Sequence, residues 1–494
     1  MRADDVLFCP SLKDKLQPRP SPLSQYTGAF VEDGDRVCIE SLVLSSDGRR
    51  RKGHYGSHEN LLALARLTST PSFREGMAAQ HRHAMAWSGV GSPLDTLREE
   101  EGKEGDEDAE EPVFDLSEMP RYALRAGPRE TIHFNPAMTH IAIVTVGGLC
   151  PGLNDVIRSL VSKASDYGVP DGNIVGIRYG FKGFEQHRHN PPVPLTRANT
   201  DDIHLEGGTV LGTSNAEADI PQIVKWLDLW SIDMLFVVGG IRAGSVASSI
   251  RRKCAQHKVL TAVVAVPKSI DSDFLLIDKT FGFDTAVEES QRALLAAKTE
   301  ASSAYRGVGI VKLMGKDSGL IAVKASLASG LVDVCLIPEV PFQLEGEHGL
   351  VAYLEHLLET RGHVVICIAE GTAQDLIPED FTSSTTYPEM RDAGVWLKKE
   401  LRKRLDDVDV KYIDPSLIIR SVPPTSDDRV YCKTLAHSAI HAAFAGYTGV
   451  LVGMVNTHHV LLPIIAEHPP RRVDPEAPLW RRLLASTGQP DFMG

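Results

Sequence analysis

The amino-acid sequence predicts an α/β fold built on a doubly wound parallel sheet with helices on both faces. Two observations carry that expectation. Apolar runs rich in β-branched residues recur at Ile141–Val146, Met234–Val238, Leu260–Val266 and Val364–Ala369, each of a length that suits a strand buried on both sides. Each run ends in a glycine or a polar loop, and the first leads into helical spacing of apolar residues at Val156, Leu160 and Val161. Such sheets collect ligands beyond the carboxyl ends of their strands, so the loops after these runs are where chemistry is expected.

The chain has 494 residues, enough for two or three domains with generous cores. Its 43% hydrophobic and 24% charged residues are those of a soluble globular protein. A net charge of -13 argues against a nucleic-acid or anionic-membrane partner, although local basic residues decide whether a phosphorylated ligand binds. The seven cysteines have no paired metal spacing, and Cys335 and Cys367 sit in apolar runs, which suits reduced, buried thiols. No apolar stretch has the length of a membrane span, and MRADDVLFCP lacks the features of a signal or transit peptide. A cytoplasmic location is the expectation.

Residues 1–45 form a Pro- and Ser-rich extension with a short strand expected near Val37 to Leu44. Residues 46–120 contain a basic run at Arg49 to Lys52, a helical pattern at Asn60 to Leu67 and an acidic block at Arg98 to Glu111. That block cannot bury enough apolar surface to offset its ordering entropy, so the segment reads as a largely disordered insertion.

Four loops then carry the chemistry. Gly147-Gly148-Leu149-Cys150-Pro151-Gly152-Leu153-Asn154 opens a helix directly after a strand, where backbone amides can approach a phosphate. Gly239-Gly240-Ile241-Arg242-Ala243-Gly244 follows the second run. Pro267-Lys268-Ser269-Ile270-Asp271-Ser272-Asp273 follows the third and puts a hydroxyl, a candidate base and a second acid on one short loop. Taken alone, those seven residues suit a solvated turn equally well. Glu370-Gly371 follows the fourth.

These segments together resemble the phosphofructokinase family. PKSIDSD is similar to the family's PKTIDND, and it is followed by DKTFGFDTAVEE at 278–289 and VKLMGKDSG at 311–319. GGLCPGLN matches the plant-type turn letter for letter, and the resemblance to the long-chain branch of plants and kinetoplastids runs from about residue 121 to the C-terminus. It implies two Rossmann-like doubly wound domains facing across a cleft. The donor-binding domain would span 135–285 and the sugar-phosphate domain 286–420, with 421–494 returning to the first. It further implies ATP and Mg²⁺ as cofactors, fructose 6-phosphate as substrate, and assembly as a homo-oligomer or with an active paralogue.

The resemblance assigns roles by position. Asp271 would be the general base and Lys316 would stabilise the transferring phosphoryl group. Ser269, Asp273, Met314, Gly315, Glu370 and Arg420 would contact the sugar phosphate or the transferring group. Gly147, Tyr179, Gly240, Arg242 and Lys268 would face the donor. Each has a plainer local reading: Met314 as core filling, Glu370 as a helix cap, Asp273 as a turn cap and Arg420 as a surface cation.

The donor side departs from the family's letters. Leu211-Gly212-Thr213-Ser214-Asn215 replaces a motif that ends in arginine, and Ile241, Arg242 and Ala243 stand where the family has Asp, Gly and Thr. Ile241 offers no oxygen to a hard cation, and Ala243 removes a hydroxyl. Arg242 could itself grip a phosphate bidentately. Lys316 replaces an arginine, and Leu417 a tyrosine. Two functions therefore stand: a 6-phosphofructokinase with an impaired donor site, or a sugar-phosphate-binding paralogue that serves an active partner.

A third possibility, a metal site, is weak. His437 and His441 share a face of an amphipathic helix expected over 434–444, with His458 and His459 downstream, but no carboxylate ligand accompanies them. No metal-ligating residue is assigned.

Overall fold

The computed structural model describes residues 6–25, 30–39, 122–185, 189–215, 217–384, 386–465 and 468–492. The insertion expected over 46–120, with its helical pattern and acidic block, and the 40–44 part of the first strand lie outside those residues.

In chain order the strands are β1 (Arg19–Pro20), β2 (Arg36–Cys38), β3 (Tyr122–Arg125), β4 (Thr131–Ile132), β5 (Ile141–Thr145), β6 (Ile174–Ile177), β7 (Val193–Pro194), β8 (Met234–Gly239), β9 (Ala262–Pro267), β10 (Gly307–Leu313), β11 (Val334–Leu336), β12 (His363–Ala369), β13 (Asp409–Ile413), β14 (Val450–Val455) and β15 (His458–Pro463). The α-helices are α1 (Leu153–Tyr167), α2 (Lys182–Glu185), α3 (Ile220–Leu229), α4 (Ile241–Gln256), α5 (Phe283–Ser303), α6 (Leu320–Ser329), α7 (Leu350–Arg361), α8 (Ala393–Arg404), α9 (Ser416–Ser421), α10 (Ser426–Phe444) and α11 (Pro478–Thr487).

The larger sheet has the order β2-β3-β15-β14-β9-β8-β5-β6-β7. Its centre, β14 to β6, is parallel, and antiparallel strands close both flanks. The second sheet, β11-β12-β10-β13, is parallel throughout. Strand alternation explains why the apolar runs are continuous. Ile141 and Ile143 face one layer while Ala142 and Val144 face the other, so neither side admits a polar residue. The same holds in β12, where Val365 and Cys367 turn away from Val364, Ile366 and Ile368. The layer that Ile141 enters also receives Val311 and Leu313 of β10, so one shared core, filled by α1, α5 and α10, joins the two sheets.

Two expectations change. β9 starts at Ala262 rather than Leu260, because Leu260 is exposed and precedes the pairing with β8. The helix expected over 434–444 is the end of the longer α10, and it is not amphipathic: Leu435, Ala436, Ser438, Ala439, Ile440, Ala442 and Ala443 are all buried. Small residues let it lie against α1. Gly152, at φ 102° ahead of α1, allows the same approach, since a methyl group there would lie 2.5 Å from Cys432 Sγ. His441 belongs to that packing. Its Nδ1 is 2.8 Å from the Tyr167 hydroxyl, and Tyr167 stacks on Phe444 at 4.2 Å.

Candidate active site

The carboxyl ends of β5, β8 and β9 bring the first group of residues together. The Thr213 hydroxyl donates to the Gly147 carbonyl at 2.5 Å, and the Gly147 N–H donates to Ser214 O at 3.2 Å, which fixes the glycine turn against residues 211–215. Lys268 reaches into that turn. Its ammonium donates to Gly148 O at 2.7 Å, and burial pushes its pKa down. A methyl group on Gly147 would lie 3.2 Å from Lys268 Nζ and 3.9 Å from Asn215 Oδ1, so Gly147, Lys268 and Asn215 border one small space. Tyr179, at φ 58°, lies against Gly212 and under the Arg178 guanidinium, whose Nη2 is 3.1 Å from the phenol oxygen.

β8 runs through Gly239 and Gly240 into α4. Gly240 is the cap residue and supplies no side chain, so the first-turn N–H groups of α4 have no side-chain cap. Such a terminus favours an anion. Arg242, at the second helical position, is exposed, and Ala243 is buried against Gly239.

The loop after β9 carries the acids. Ser272 adopts φ 54°, a left-handed conformation that is costly for a residue with a Cβ, and it separates Asp271 from Asp273. Burial, then the charges of Asp273, Glu370 and Asp317, push Asp271 up to about 7, opposed by a hydrogen bond from Tyr387. Burial likewise raises Asp273, opposed by the Ser269 hydroxyl. Asp271 Oδ1 and Asp273 Oδ1 are covered and have no hydrogen-bond partner. Thr280 donates to the Ser269 carbonyl and ties the loop to the segment ahead of α5.

The second sheet closes the site. β10 leads into buried Met314, then Gly315 at φ 139°, then Lys316, whose ammonium lies 3.0 Å from Glu389. Glu370, at the end of β12, is fully buried, and both its oxygens lack partners. Burial pushes it up to about 7, while Lys312 pulls the other way. Lys312, buried within β10, pairs with Asp392 and Asp414, each at 2.9 Å. Arg420 crosses to the first sheet: a methyl group on Gly148 would lie 3.6 Å from its Nη2, and its Nε is buried without a partner.

The structure thus brings Asp271, Asp273, Glu370 and Lys316 together between the strand ends of the two sheets, with Arg420, Lys268, Gly147 and Gly240 beside them. Glu370 caps no helix, since turns follow it. Tyr387 and Glu389 were not singled out in the sequence. They lie on a hairpin between β12 and α8, and no local pattern ties them to Asp271. Burial pushes His437 down to about 4 and His441 down to about 3, so both are neutral core groups. Among the described residues no three His, Cys, Asp or Glu side chains cluster as metal ligands, and no helix is long and apolar enough to cross a membrane.

A two-sheet α/β fold, one sheet parallel and the other closed by antiparallel flanks, here gathers buried acids and cations at its strand ends, an arrangement that suits phosphoryl transfer. The profile of the family described as "Phosphofructokinase" matches residues 140–443, and the chain belongs to that family. It is 48% identical over 387 residues to "ATP-dependent 6-phosphofructokinase 5, chloroplastic" of Arabidopsis thaliana, covering 77% of this chain and 71% of the relative. It is 39% identical over 381 residues to "ATP-dependent 6-phosphofructokinase" of Trypanosoma cruzi, covering 74% and 77%. Among solved structures, the pyrophosphate-dependent phosphofructokinase of Marinobacter aquaeolei superposes with a TM-score of 0.59 at 15% identity, over 72% of this chain and 92% of that one. The Pichia pastoris phosphofructokinase superposes at 0.55 with 21% identity over 66% of this chain, which spans 35% of that longer one. These likenesses establish the fold.

Proposed function

We propose that the chain transfers the γ-phosphoryl group of ATP to the 1-hydroxyl of fructose 6-phosphate, slowly, because its donor wall is altered. One observation carries the reading: Asp271 Oδ1, Asp273 Oδ1, both oxygens of Glu370 and Arg420 Nε are buried without partners around one cleft. Orphaned polar atoms of this kind need a ligand with hydroxyls and an anionic group. In the proposed division of labour Arg420 holds the sugar phosphate, Glu370 accepts from sugar hydroxyls, and Asp271 takes the proton of the attacking hydroxyl. Met314 and Gly315 shape the floor, and Ser269 and Lys316 meet the transferring group.

The proposed units are 135–285 for the donor, 286–420 for the sugar phosphate, and 421–494 bracing the first. Gly147, Tyr179, Gly240, Arg242 and Lys268 would line the nucleotide's path. Bare carboxylate oxygen is what Mg²⁺ takes, so Asp273, with the donor's phosphates, fits such an ion, whereas Ile241 supplies nothing. The ion supplies charge neutralisation at the phosphoryl group. Exposed Arg242 offers a replacement cation at the start of α4.

A second reading, a non-catalytic subunit that binds sugar phosphate beside an active relative, is favoured by Ile241 and Ala243 at the helix entrance. Leu417, Ile418 and Val430, exposed near Arg420 in sequence, would serve contact with a second copy or that relative. The unpaired state of all seven thiols fits the reducing cytoplasm. A coupled assay with Mg·ATP and fructose 6-phosphate tests the first reading. Turnover that disappears in Asp271→Asn supports it, and absence of turnover in a protein that binds the sugar phosphate selects the second.

A further inference from the structure

The two oxygens of Asp271 stand in different surroundings. The Tyr387 hydroxyl donates to Oδ2 at 3.3 Å, while Oδ1 is covered and has no partner. The charged groups around Asp271 do not duplicate that donor. Asp273, Glu370 and Asp317 raise its carboxyl, and Lys268 is turned onto Gly148 O. Tyr387 remains a phenol, because the Asp271 charge and burial raise its pKa.

The hydroxyl is aimed by a hairpin tied at several points. Ser384 N–H donates to Met390 O at 2.8 Å, and Asp392 N–H to Thr382 O at 2.8 Å. Gln374 clamps its base, accepting from Arg391 N–H at 3.0 Å and donating to Arg391 O at 3.0 Å. At the tip the Lys316 ammonium stands 5.7 Å from the centre of the Tyr387 ring and 3.0 Å from Glu389, which fixes the ring from a second side.

We infer that Tyr387 is a positioning residue, whose hydroxyl holds Oδ2 of Asp271, fixes the rotation of the carboxylate and leaves Oδ1 as the atom that meets the substrate's hydroxyl. The inference rests on the reading of Asp271 as the base. In that step Oδ1 takes the hydroxyl proton while the sugar oxygen bonds to the γ-phosphorus and the bond from phosphorus to the ADP oxygen breaks. The Tyr387 proton stays where it is. A carboxylate without the phenol has no donor among the described residues to choose between its oxygens, and misorientation slows chemistry more than binding.

The test has two arms on the full chain. In the first, a difference infrared spectrum at pH 9 between wild type and Asp271→Asn isolates the Asp271 carboxylate stretches. The same difference is taken with Tyr387→Phe in both proteins. The separation of the antisymmetric and symmetric bands is expected to change in the Phe background, and an unchanged separation overturns the inference. Glu389→Gln releases Lys316 and keeps the hydroxyl, so its bands are expected at the wild-type positions. A shift equal to that of Tyr387→Phe would trace the effect to displacement of the hairpin and also overturn it.

In the second arm, kcat of Tyr387→Phe is expected to fall on the order of tenfold with KM for fructose 6-phosphate held within about twofold. A raised KM with unchanged kcat contradicts a positioning role. Should wild type turn over no donor at all, the proposed kinase function fails, and the infrared arm alone decides this inference.

Discussion

Asp271, Asp273 and Glu370 are three neighbouring acids, and each is raised above the ordinary carboxylate range with burial as the leading cause. A raised base near neutrality suits proton abstraction from an alcohol at physiological pH. Asp271→Asn keeps the shape and removes the acceptor, so kcat is expected to drop by about 10²–10⁴-fold with fructose 6-phosphate binding retained, as a coupled assay beside calorimetric titration would register. Glu370 gives a stability prediction. Its value rises from 4.5 to about 7 on folding, so the native state favours the protonated form. Its stabilising contribution is complete below the unfolded value and is lost as pH rises through about 7. Glu370→Gln, which mimics the neutral acid, is expected to be more stable than wild type at pH 8 by on the order of 2 kcal/mol, and no more stable at pH 4. Urea unfolding at both pH values checks this, and the same variant is expected to bind fructose 6-phosphate more weakly.

At the scale of elements, Lys312 inside β10 illustrates a charge held only by its partners. Lys312→Met leaves buried Asp392 and half-buried Asp414 against an apolar chain, a loss of about 3–5 kcal/mol, readable as a lower denaturant midpoint. Asp392→Asn is expected to cost less, since Asp414 and the Tyr412 hydroxyl remain. The start of α4 carries the other element-level prediction. Converting Asn215→Arg, Ile241→Asp, Arg242→Gly and Ala243→Thr together is expected to raise turnover with Mg·ATP. Some stability should be lost, because residue 243 is buried against Gly239 and a branched side chain there crowds the turn. A folded variant with no gain in rate would contradict the account of the donor wall.

These elements also explain what could be read in the sequence. β5, β8, β9 and β12 were legible because strands buried on both faces have no polar alternation to disguise them. The buried face of α10 was not, because alanine and serine fill a close helix contact without a strong apolar signature. The loop of Asp271 was legible through its spacing and the resemblance it carried. Tyr387 was not, since it reaches Asp271 across 116 residues from a hairpin whose letters predict only a turn.

Across the whole molecule, the two sheets meet through one shared core. On the proposed reading, the sugar wall offers unpartnered carboxylates and a buried arginine nitrogen, and the donor wall an aliphatic residue and an exposed guanidinium at a helix entrance. That contrast predicts unequal affinities. Ligands that bind the native state raise its melting temperature by linkage, so melting the protein with each ligand at equal concentration compares the walls directly. The account predicts a clear upward shift with fructose 6-phosphate alone, lost in Arg420→Ala, and a much smaller one with Mg·ATP alone. A shift with Mg·ATP that equals or exceeds the sugar-phosphate shift, and survives Arg242→Ala, would contradict it.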